Sequence, residues 1–576
     1  MSSLATFRST FLRPRRLPTS IRQLSTSAPR VASPAAGTAS SFPPPPRGAN
    51  AILPALLAAA LGASATYLLA PCSKQEPLSY REPSQATFDA AVRELKEFMP
   101  EEFVSQDRDV LLNYGHSDWT AHDPTALAGA VIYPRNKEDV IKIVKLASKY
   151  NCPLIPQCAG TSLEGHTSPL GYKNNPNDTV ANQKRAAGES VTMDDLKPGL
   201  AWVLDFAENM NEIIKINEHD LDVVVQPGVS YDGLNAVLAE KGIPLYFPVD
   251  PAPGAQIGGM IGTGASGTNA VKAGTMRENV INLTVVLADG TLLKTRQRAK
   301  KSSAGPDLGK LFIGSEGTLG IVVEATLKLS PKLPSTVAVS SFPSIEAAAG
   351  AARDLVTGGI SLACIELLDE VMIKMINKKG GGITWPEKPS LFLKFSGTQG
   401  QIDSDVQRTR SITEQNSGEG FTFAKDDEEA ALIWQSRKNV LFAALDYVPG
   451  SKAFVTDVCV PMSNFPTLVA ETRADVDSHG ILAPIFGHAG DGNFHALLLF
   501  STPEEQKKID GLVHRMVERA QRLDGTCTGE HGAYIENELG PGTVELLRRI
   551  KETLDPQNIM NPGKLIPPRD GSIPKY

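Results

Sequence analysis

Cysteine is scarce in this chain and follows no regular spacing. The 576 residues include only six cysteines, and no two of them form a C-x-x-C pair. This excludes a zinc ribbon and a disulfide framework. An excess of basic charge is also missing, because the formal net charge is −7. We therefore expect no nucleic-acid partner. The length and the ordinary globular composition predict two or three domains.

Acidic side chains are absent from the first 75 residues. No Asp or Glu precedes Glu76, whereas seven arginines occur there among many Ser, Thr, Pro and Ala residues. This composition is typical of a mitochondrial transit peptide, which we assign to residues 1–50. A basic tail that binds nucleic acid or anionic lipid remains an alternative. The rest of the chain has 49 basic and 64 acidic residues, a net charge of −15 that suits a basic protein partner.

Long apolar runs are also missing, with one exception at residues 51–70. These twenty residues carry no charge, although they are rich in Ala and include Pro54. A helix of that length can just cross ~30 Å of hydrocarbon. The run predicts an anchor in the inner mitochondrial membrane, with the following chain in the intermembrane space. The alternative is a sorting signal that is removed.

The remaining chain divides by its texture into four parts. Residues 71–108 are expected to form a linker and a helix, and residues 109–330 a first domain that opens with a β-α-β unit. Prolines near residue 331 indicate a boundary, followed by a second domain over 331–540 and a C-terminal segment over 541–576. The β-α-β unit has strands at "GAVIYP" and "CPLIPQ" around a helix at "NKEDVIKIVKLASKY".

The segment "PIFGHAGDGNFH" carries two of the nine histidines of the chain. Asp491-Gly492 between apolar runs predicts a two-residue type I′ turn, which would place His488 opposite His495. Such a pair could be merely hydrogen-bonded. With Glu530 of "GTCTGEHG" it would form a His2Glu set for a divalent metal, Zn²⁺ or else Mn²⁺. His531 would remain as a base.

Three glycine-rich runs could surround a large cofactor. "GTGASG" at 262–267 matches the G-x-G-x-x-G pattern of NAD sites, but it does not follow a buried strand directly, so we do not favour NAD. "PQCAGTSLEGHT" does follow a strand and places small residues where backbone N–H groups could bind a pyrophosphate. "FIGSEGTLGIV" is the third run.

These runs, together with "VVVQPGVSYDGLN", resemble the FAD-binding domain of the vanillyl-alcohol oxidase type. "GHAGDGNFH", "GTCTGEHG" and "NPGK" resemble the C-terminal part of its D-2-hydroxyacid dehydrogenase branch. The resemblance implies an α+β chain. A two-subdomain FAD-binding domain of the PCMH type would be followed by an α+β cap domain with an antiparallel sheet, and the C-terminal segment would return to the flavin.

The same resemblance assigns residues to the cofactor. Thr161 stands where relatives with a covalent flavin carry the linking histidine, so we expect noncovalent FAD. Thr161 belongs to the pyrophosphate loop, and the "NPGK" residues would lie near the flavin. The implied FAD contacts are Pro156, Gln157, Cys158, Ala159, Gly160, Thr161, Ser162, Pro251, Gly258, Thr263, Gly264, Gly267, Ile321, Asn561 and Lys564.

The resemblance also implies an activity. Arg437 would bind the carboxylate of a 2-hydroxyacid, His531 would take the hydroxyl proton, FAD would accept hydride, and cytochrome c would receive the electrons. Relatives that oxidise D-2-hydroxyglutarate carry a Lys at the position of Val455, so D-lactate or a similar short acid is favoured, although Lys452 is near. A D-2-hydroxyglutarate dehydrogenase, a non-redox FAD-dependent alkyl transferase and a noncatalytic binding protein remain alternatives.

Overall fold

The computed structural model describes residues 83–114, 126–163, 165–169, 179–187, 189, 191–380, 382–527 and 531–569. For residues 179, 182, 185, 186 and 531–533 it describes the backbone only. The predicted transit peptide, the apolar run 51–70 and Glu530 lie outside these residues. In the described part of the chain, no helix combines the length and the apolar character needed to cross a membrane.

The first sheet confirms the predicted β-α-β unit. The helix Lys137–Tyr150 begins after Asn136, whose side chain accepts a hydrogen bond from Asp139 N, as an N-cap residue does. Its apolar side packs on a sheet in which three strands are parallel and the first is antiparallel. The strand order is Val104–Ser105, Ala130–Ile132, Trp202–Asp205, Leu154–Gln157. The helix Gln85–Phe98 covers the same core.

A second, antiparallel sheet completes the first half of the chain. Its strands are Ile213–Asn217, Asp222–Val225, Ile321–Lys328, Val280–Val286 and Leu292–Lys294, in spatial order. Short helices connect them at Tyr231–Glu240, Ile257–Thr263, Ala270–Ala273, Met276–Asn279 and Gly309–Phe312. A small pair, Leu245–Tyr246 with Ser330–Pro331, closes this half. The two sheets form the two subdomains that we expected before residue 331.

The second half is built on a nine-stranded antiparallel sheet. Its strands, in spatial order, are Glu419–Phe423, Ser335–Ser341, Ser390–Ser396, Leu362–Leu368, Ile485–His488, Asn493–Phe500, Val458–Cys459 and Thr526–Cys527, with Lys452–Val455 also paired to Asn493–Phe500. Helices lie at Ile345–Thr357, Glu370–Lys379, Gln399–Gln415, Asp427–Lys438, Val440–Tyr447, Phe465–His479 and Pro503–Arg522. The central strand Leu362–Leu368 is buried along its whole length.

The C-terminal segment returns to the first sheet. The helical run His531–Leu554 is broken at Gly540, whose φ of 77° is not helical and which precedes Pro541. Beyond it, Leu154 N donates to Ile559 O at 2.8 Å, and Asn561 N donates to Leu154 O at 2.8 Å. The segment therefore lies beside the strand that leads into the first glycine-rich run.

Candidate active site

The three glycine-rich runs meet in space and form what we call the cradle, residues 156–166, 254–269 and 312–322. Glu316 N donates to Gly262 O at 2.9 Å, and Gly314 N donates to Ile261 O at 2.9 Å. A Cβ atom on Gly258 would lie 2.9 Å from Cys158 Sγ. The first two runs can approach this closely because Gly258 carries no side chain.

The second run is not a dinucleotide fingerprint. Its helix Ile257–Thr263 ends at Gly264, which has the left-handed φ of 65°. A fingerprint would instead place these glycines before a helix N-terminus, where the pyrophosphate binds. This geometry agrees with the expectation that the run is not an NAD-binding motif.

The cradle contains buried polar atoms with no protein partner. They are Gln157 Oε1 and Gln256 Oε1, and a third such atom, Asn561 Oδ1, belongs to the C-terminal segment that contacts the cradle. Buried polar atoms are nearly always hydrogen-bonded, so such a group of orphaned acceptors indicates a missing ligand with donors. Gly160 lies in the same loop as Gln157 and has a left-handed φ of 65°. The residues present fit a polar cofactor such as FAD.

The C-terminal segment closes one side of the cradle. Asn561 Nδ2 donates to Glu316 O at 2.7 Å and to His166 O at 3.1 Å. Lys564 is only 3% exposed. Burial lowers the pKa of its amine to about 8, against the opposing effect of the Glu316 carboxylate. Two predicted contact residues, Asn561 and Lys564, thus lie at the cradle.

The other predicted cradle residues fall at its walls. Pro251 O accepts from Tyr231 OH at 3.3 Å, and Thr263 Oγ1 donates to Gly259 O at 3.1 Å. Gly267 packs against Asp250, where a Cβ would lie 2.5 Å from Oδ1. Ile321 begins a strand and is buried. The roles of these residues toward FAD stay predictions.

A second cluster lies in the nine-stranded sheet, and we call it the carboxylate cluster: Glu366, Arg437 and His488. Glu366 is fully buried. Its Oε1 lies 2.8 Å from His488 Nδ1, while its Oε2 accepts from Arg437 Nε at 2.8 Å and lies 2.5 Å from Nη2. The guanidinium also stacks over the Phe486 ring at 5.1 Å.

The two strands around Asp491-Gly492 do pair as an antiparallel hairpin, but the predicted turn type and register are wrong. A type I′ turn needs positive φ at both central residues, but only Gly492 has it, with φ of 75°, while Ala489–Asp491 forms a turn of 3-10 helix. The strands pair Phe486 with His495, not His488 with His495. His488 instead lies opposite Glu366 on the neighbouring strand.

The two imidazoles still come together, with ring centroids 5.5 Å apart and planes at 90°. His495 Nδ1 lies 3.2 Å from Thr456 O and 3.4 Å from Asp457 Oδ1. Because both Nδ1 atoms have protein partners, Nε2 of each ring is the nitrogen suited to a metal. Among the described residues, however, no group of three His, Cys, Asp or Glu could hold a metal ion. The predicted third ligand, Glu530, is outside them.

Charge and burial separate the pKa values of these groups. Burial lowers the pKa of His488, but the adjacent Glu366 carboxylate outweighs this, so the pKa is raised overall. For His495 burial dominates and the pKa is lowered. Burial raises the pKa of Glu366, but Arg437 and His488 together reverse this and lower it. Glu366 is therefore stabilised as an anion by Arg437 and His488.

Sequence reasoning missed Glu366 and the contact between the two halves. Cys364 Sγ, on the same strand as Glu366, lies 3.3 Å from Asn269 Oδ1 at the end of the second glycine run. A Cβ on Gly490 would lie 2.6 Å from Val271 Cγ2. The cradle and the carboxylate cluster therefore adjoin. An ionisable residue within the otherwise apolar strand "LACIELL" was the only available signal.

Comparison with known proteins identifies the family. Residues 128–173 and 181–296 match the FAD binding domain, and residues 334–565 match the C-terminal domain of FAD linked oxidases. The chain belongs to this family of FAD-linked oxidoreductases.

Individual relatives narrow the comparison further. The chain is 41% identical over 507 residues to the mitochondrial D-lactate dehydrogenase [cytochrome] of Kluyveromyces lactis, covering 84% of this chain and 82% of the relative. It is 29% identical to the D-2-hydroxyglutarate dehydrogenase of Stutzerimonas stutzeri over 83% of this chain and 99% of that one. The solved 4-ethylphenol oxidase of Gulosibacter chungangensis, 21% identical, shares the fold with a TM-score of 0.67 over 84% of this chain and 98% of that one.

Proposed function

We propose that this chain oxidises D-lactate, or a similar short D-2-hydroxyacid, to the 2-oxoacid with noncovalent FAD and passes the electrons to cytochrome c. The observation that carries the proposal is the adjoining of two sites. One is the cradle, lined by three orphaned buried acceptors, and the other is the carboxylate cluster, which has His495 beside its own His488. The relatives named D-lactate dehydrogenase [cytochrome] support this reading.

Arg437 supplies the cation for the substrate carboxylate. Glu366 occupies the Nε and Nη2 edge of the guanidinium, so a substrate carboxylate has to bind its remaining face or edge. The Glu366 contact in turn fixes the plane in which Arg437 meets the substrate.

His488, His495 and Glu530 would hold a divalent metal, Zn²⁺ or Mn²⁺. Such an ion, when bound, lowers the pKa of a coordinated hydroxyl group, and bound FAD supplies the hydride acceptor. His531 follows Glu530 directly and would take the proton from the hydroxyl. Its neighbour in sequence would thus be a metal ligand, and a helix begins at His531.

The second carboxylate of D-2-hydroxyglutarate has no partner at Val455. This residue ends the strand Lys452–Val455, and it pairs with Leu497, whereas Lys452 pairs with Phe500. Residues three apart in a strand point to opposite faces, so Lys452 does not replace a lysine at position 455. The absence of a cation there favours a monocarboxylate, in agreement with the lower identity to the D-2-hydroxyglutarate enzyme.

We further propose a mitochondrial location, with residues 1–50 as transit peptide and residues 51–70 as an anchor in the inner membrane. The composition of the leader supports the first part, as do the mitochondrial relatives. The uncharged run supports the second. The acidic body suits docking of a basic cytochrome c.

Absorption spectroscopy of the purified protein tests the activity. D-lactate added anaerobically should bleach the flavin band within the mixing time of a manual experiment, and oxidised cytochrome c should then restore it. L-lactate and D-2-hydroxyglutarate, the matched controls, should leave the band unchanged. A flavin that stays oxidised with D-lactate contradicts the proposal. Faster bleaching by D-2-hydroxyglutarate than by D-lactate would instead identify the protein as a D-2-hydroxyglutarate dehydrogenase. Acid precipitation should release the FAD, whereas flavin retained in the pellet contradicts noncovalent binding.

A further inference from the structure

One fully buried carboxylate connects two of the groups just discussed. Glu366 comes from the central strand Leu362–Leu368, Arg437 from the helix Asp427–Lys438, and His488 from the strand Ile485–His488. Each carboxylate oxygen has its own partner: Oε1 contacts His488 Nδ1 at 2.8 Å, and Oε2 contacts Arg437 Nε at 2.8 Å. The three elements thus meet at one side chain.

The contact with His488 is set by the backbone. Glu366 and His488 are directly paired residues on adjacent antiparallel strands, so the sheet register itself holds the side chains side by side. A carboxylate only accepts hydrogen bonds, and therefore Nδ1 of His488 has to carry a proton to donate to it. In a neutral ring this leaves the lone pair on Nε2.

We propose that Glu366 is a positioning residue that selects the Nδ1–H tautomer of His488 and at the same time orients the guanidinium of Arg437. The inference rests on the proposed function, in which the unprotonated Nε2 of His488 would bind a metal and the oriented guanidinium of Arg437 would bind the substrate carboxylate. Partners of this kind, placed behind a metal-binding histidine, fix its tautomer and ring orientation. Glu366 is fully buried and each of its oxygens already has a protein partner, so its role would be to position His488 and Arg437.

The variant Glu366→Gln separates this role from simple packing. Glutamine has the same shape but one acceptor oxygen for two partners. The cationic Arg437 attracts that oxygen more strongly, so the amide NH2 turns to His488 Nδ1 and drives the ring proton to Nε2. We expect at least tenfold weaker binding of Zn²⁺ or Mn²⁺, in the range found when such partners are removed. The KM for D-lactate should change much less than kcat, because Arg437 keeps an acceptor.

Nitrogen NMR of protein with ¹⁵N-labelled histidine, free of added metal, gives a readout that needs neither metal nor lactate. At a pH above the ring's pKa, His488, assigned by its loss in His488→Ala, should show a protonated Nδ1 and an unprotonated Nε2. The Glu366→Gln protein should show the reverse. A protonated Nε2 in the unaltered protein overturns the inference, even if the variant does not fold.

The matched control is Glu324→Gln, which also neutralises one carboxylate in a strand. The Glu324 carboxylate accepts a hydrogen bond from Thr284, away from the carboxylate cluster. Its metal affinity and kinetics should equal those of the unaltered protein. If Glu366→Gln keeps FAD, full metal affinity and the original tautomer, Glu366 serves packing alone and the inference is wrong. Failure of the unaltered protein to bind metal or oxidise D-lactate refutes the proposed function instead, since the tautomer is measured without either.

Discussion

The cradle and the carboxylate cluster adjoin, but they are built in opposite ways. The cradle consists of backbone segments that approach closely where a side chain is missing, as at Gly258. The carboxylate cluster consists of three ionisable side chains from separate elements, held by hydrogen bonds of about 2.8 Å. An added methyl group at a close contact in the cradle would therefore push backbone segments apart. In the carboxylate cluster, by contrast, a substitution acts mainly through the hydrogen bonds and the charge that it removes, and less through its volume.

The largest effect is expected from adding one methyl group to the cradle. In Gly258→Ala the new Cβ would lie 2.6 Å from Pro227 Cβ and 2.9 Å from Cys158 Sγ, so two walls must move apart. We expect loss of bound FAD, and with it all activity, and a destabilisation of about 1–3 kcal/mol. Flavin content and thermal unfolding measure both. The control Gly262→Ala is on the same helix, where the nearest atom would be 3.9 Å away. Equal FAD content in the two variants would show that the cradle is not a close-packed shape.

His531→Ala changes chemistry without changing the cradle. Loss of a positioned general base typically costs about 10²-fold or more, so anaerobic flavin reduction by D-lactate should slow by that factor while FAD and metal remain bound. Stopped-flow absorbance follows the reduction. His514→Ala, on an exposed part of the helix Pro503–Arg522, is the control and should react normally. An unchanged rate in His531→Ala means that another group takes the proton.

His488→Ala should remove a metal ligand and leave the cofactor in place. We expect metal content to fall at least tenfold, while FAD stays bound, because the orphaned acceptors assigned to FAD lie in the other site. Elemental analysis of the purified holoprotein measures metal, and absorbance measures flavin. Joint loss of metal and FAD would show that the two sites do not act separately. Full metal occupancy would falsify the ligand assignment.

The smallest effect concerns Lys564, a charged residue in the otherwise backbone-built cradle. Burial lowers the pKa of its amine to about 8, from an ordinary value of 10.5. The unfolded chain therefore binds more protons than the folded protein between these values, and stability contributed by this group rises with pH there. Relative to Lys564→Met, the unaltered protein should gain about 1–3 kcal/mol in free energy of unfolding from pH 7 to pH 10. Denaturant unfolding at several pH values measures this, and parallel curves would contradict it.

The same contrast explains which parts of the molecule sequence reasoning could reach. The helix Lys137–Tyr150 was predictable because its cap and its apolar spacing are local. The cradle runs were predictable because close backbone approach requires small residues, which are visible as motifs. The turn at Asp491-Gly492 was not predictable, because the choice between a two-residue turn and a turn of 3-10 helix depends on residues that are distant in sequence. One of them is Val460, whose O atom would lie 2.2 Å from a Cβ on Gly492.

The sequence by itself determined the family, the order of the two halves and the residues that form the cradle, since these depend on local motifs and on the spacing of apolar residues. Only the tertiary structure decided the partner of His488. Glu366 is 122 residues away from it in sequence, and the two meet because their strands are neighbours in the sheet. Strand order and register arise from packing over the whole second half. No local pattern could therefore show that a buried carboxylate, and not a second histidine, is the residue paired with His488 across the neighbouring strands.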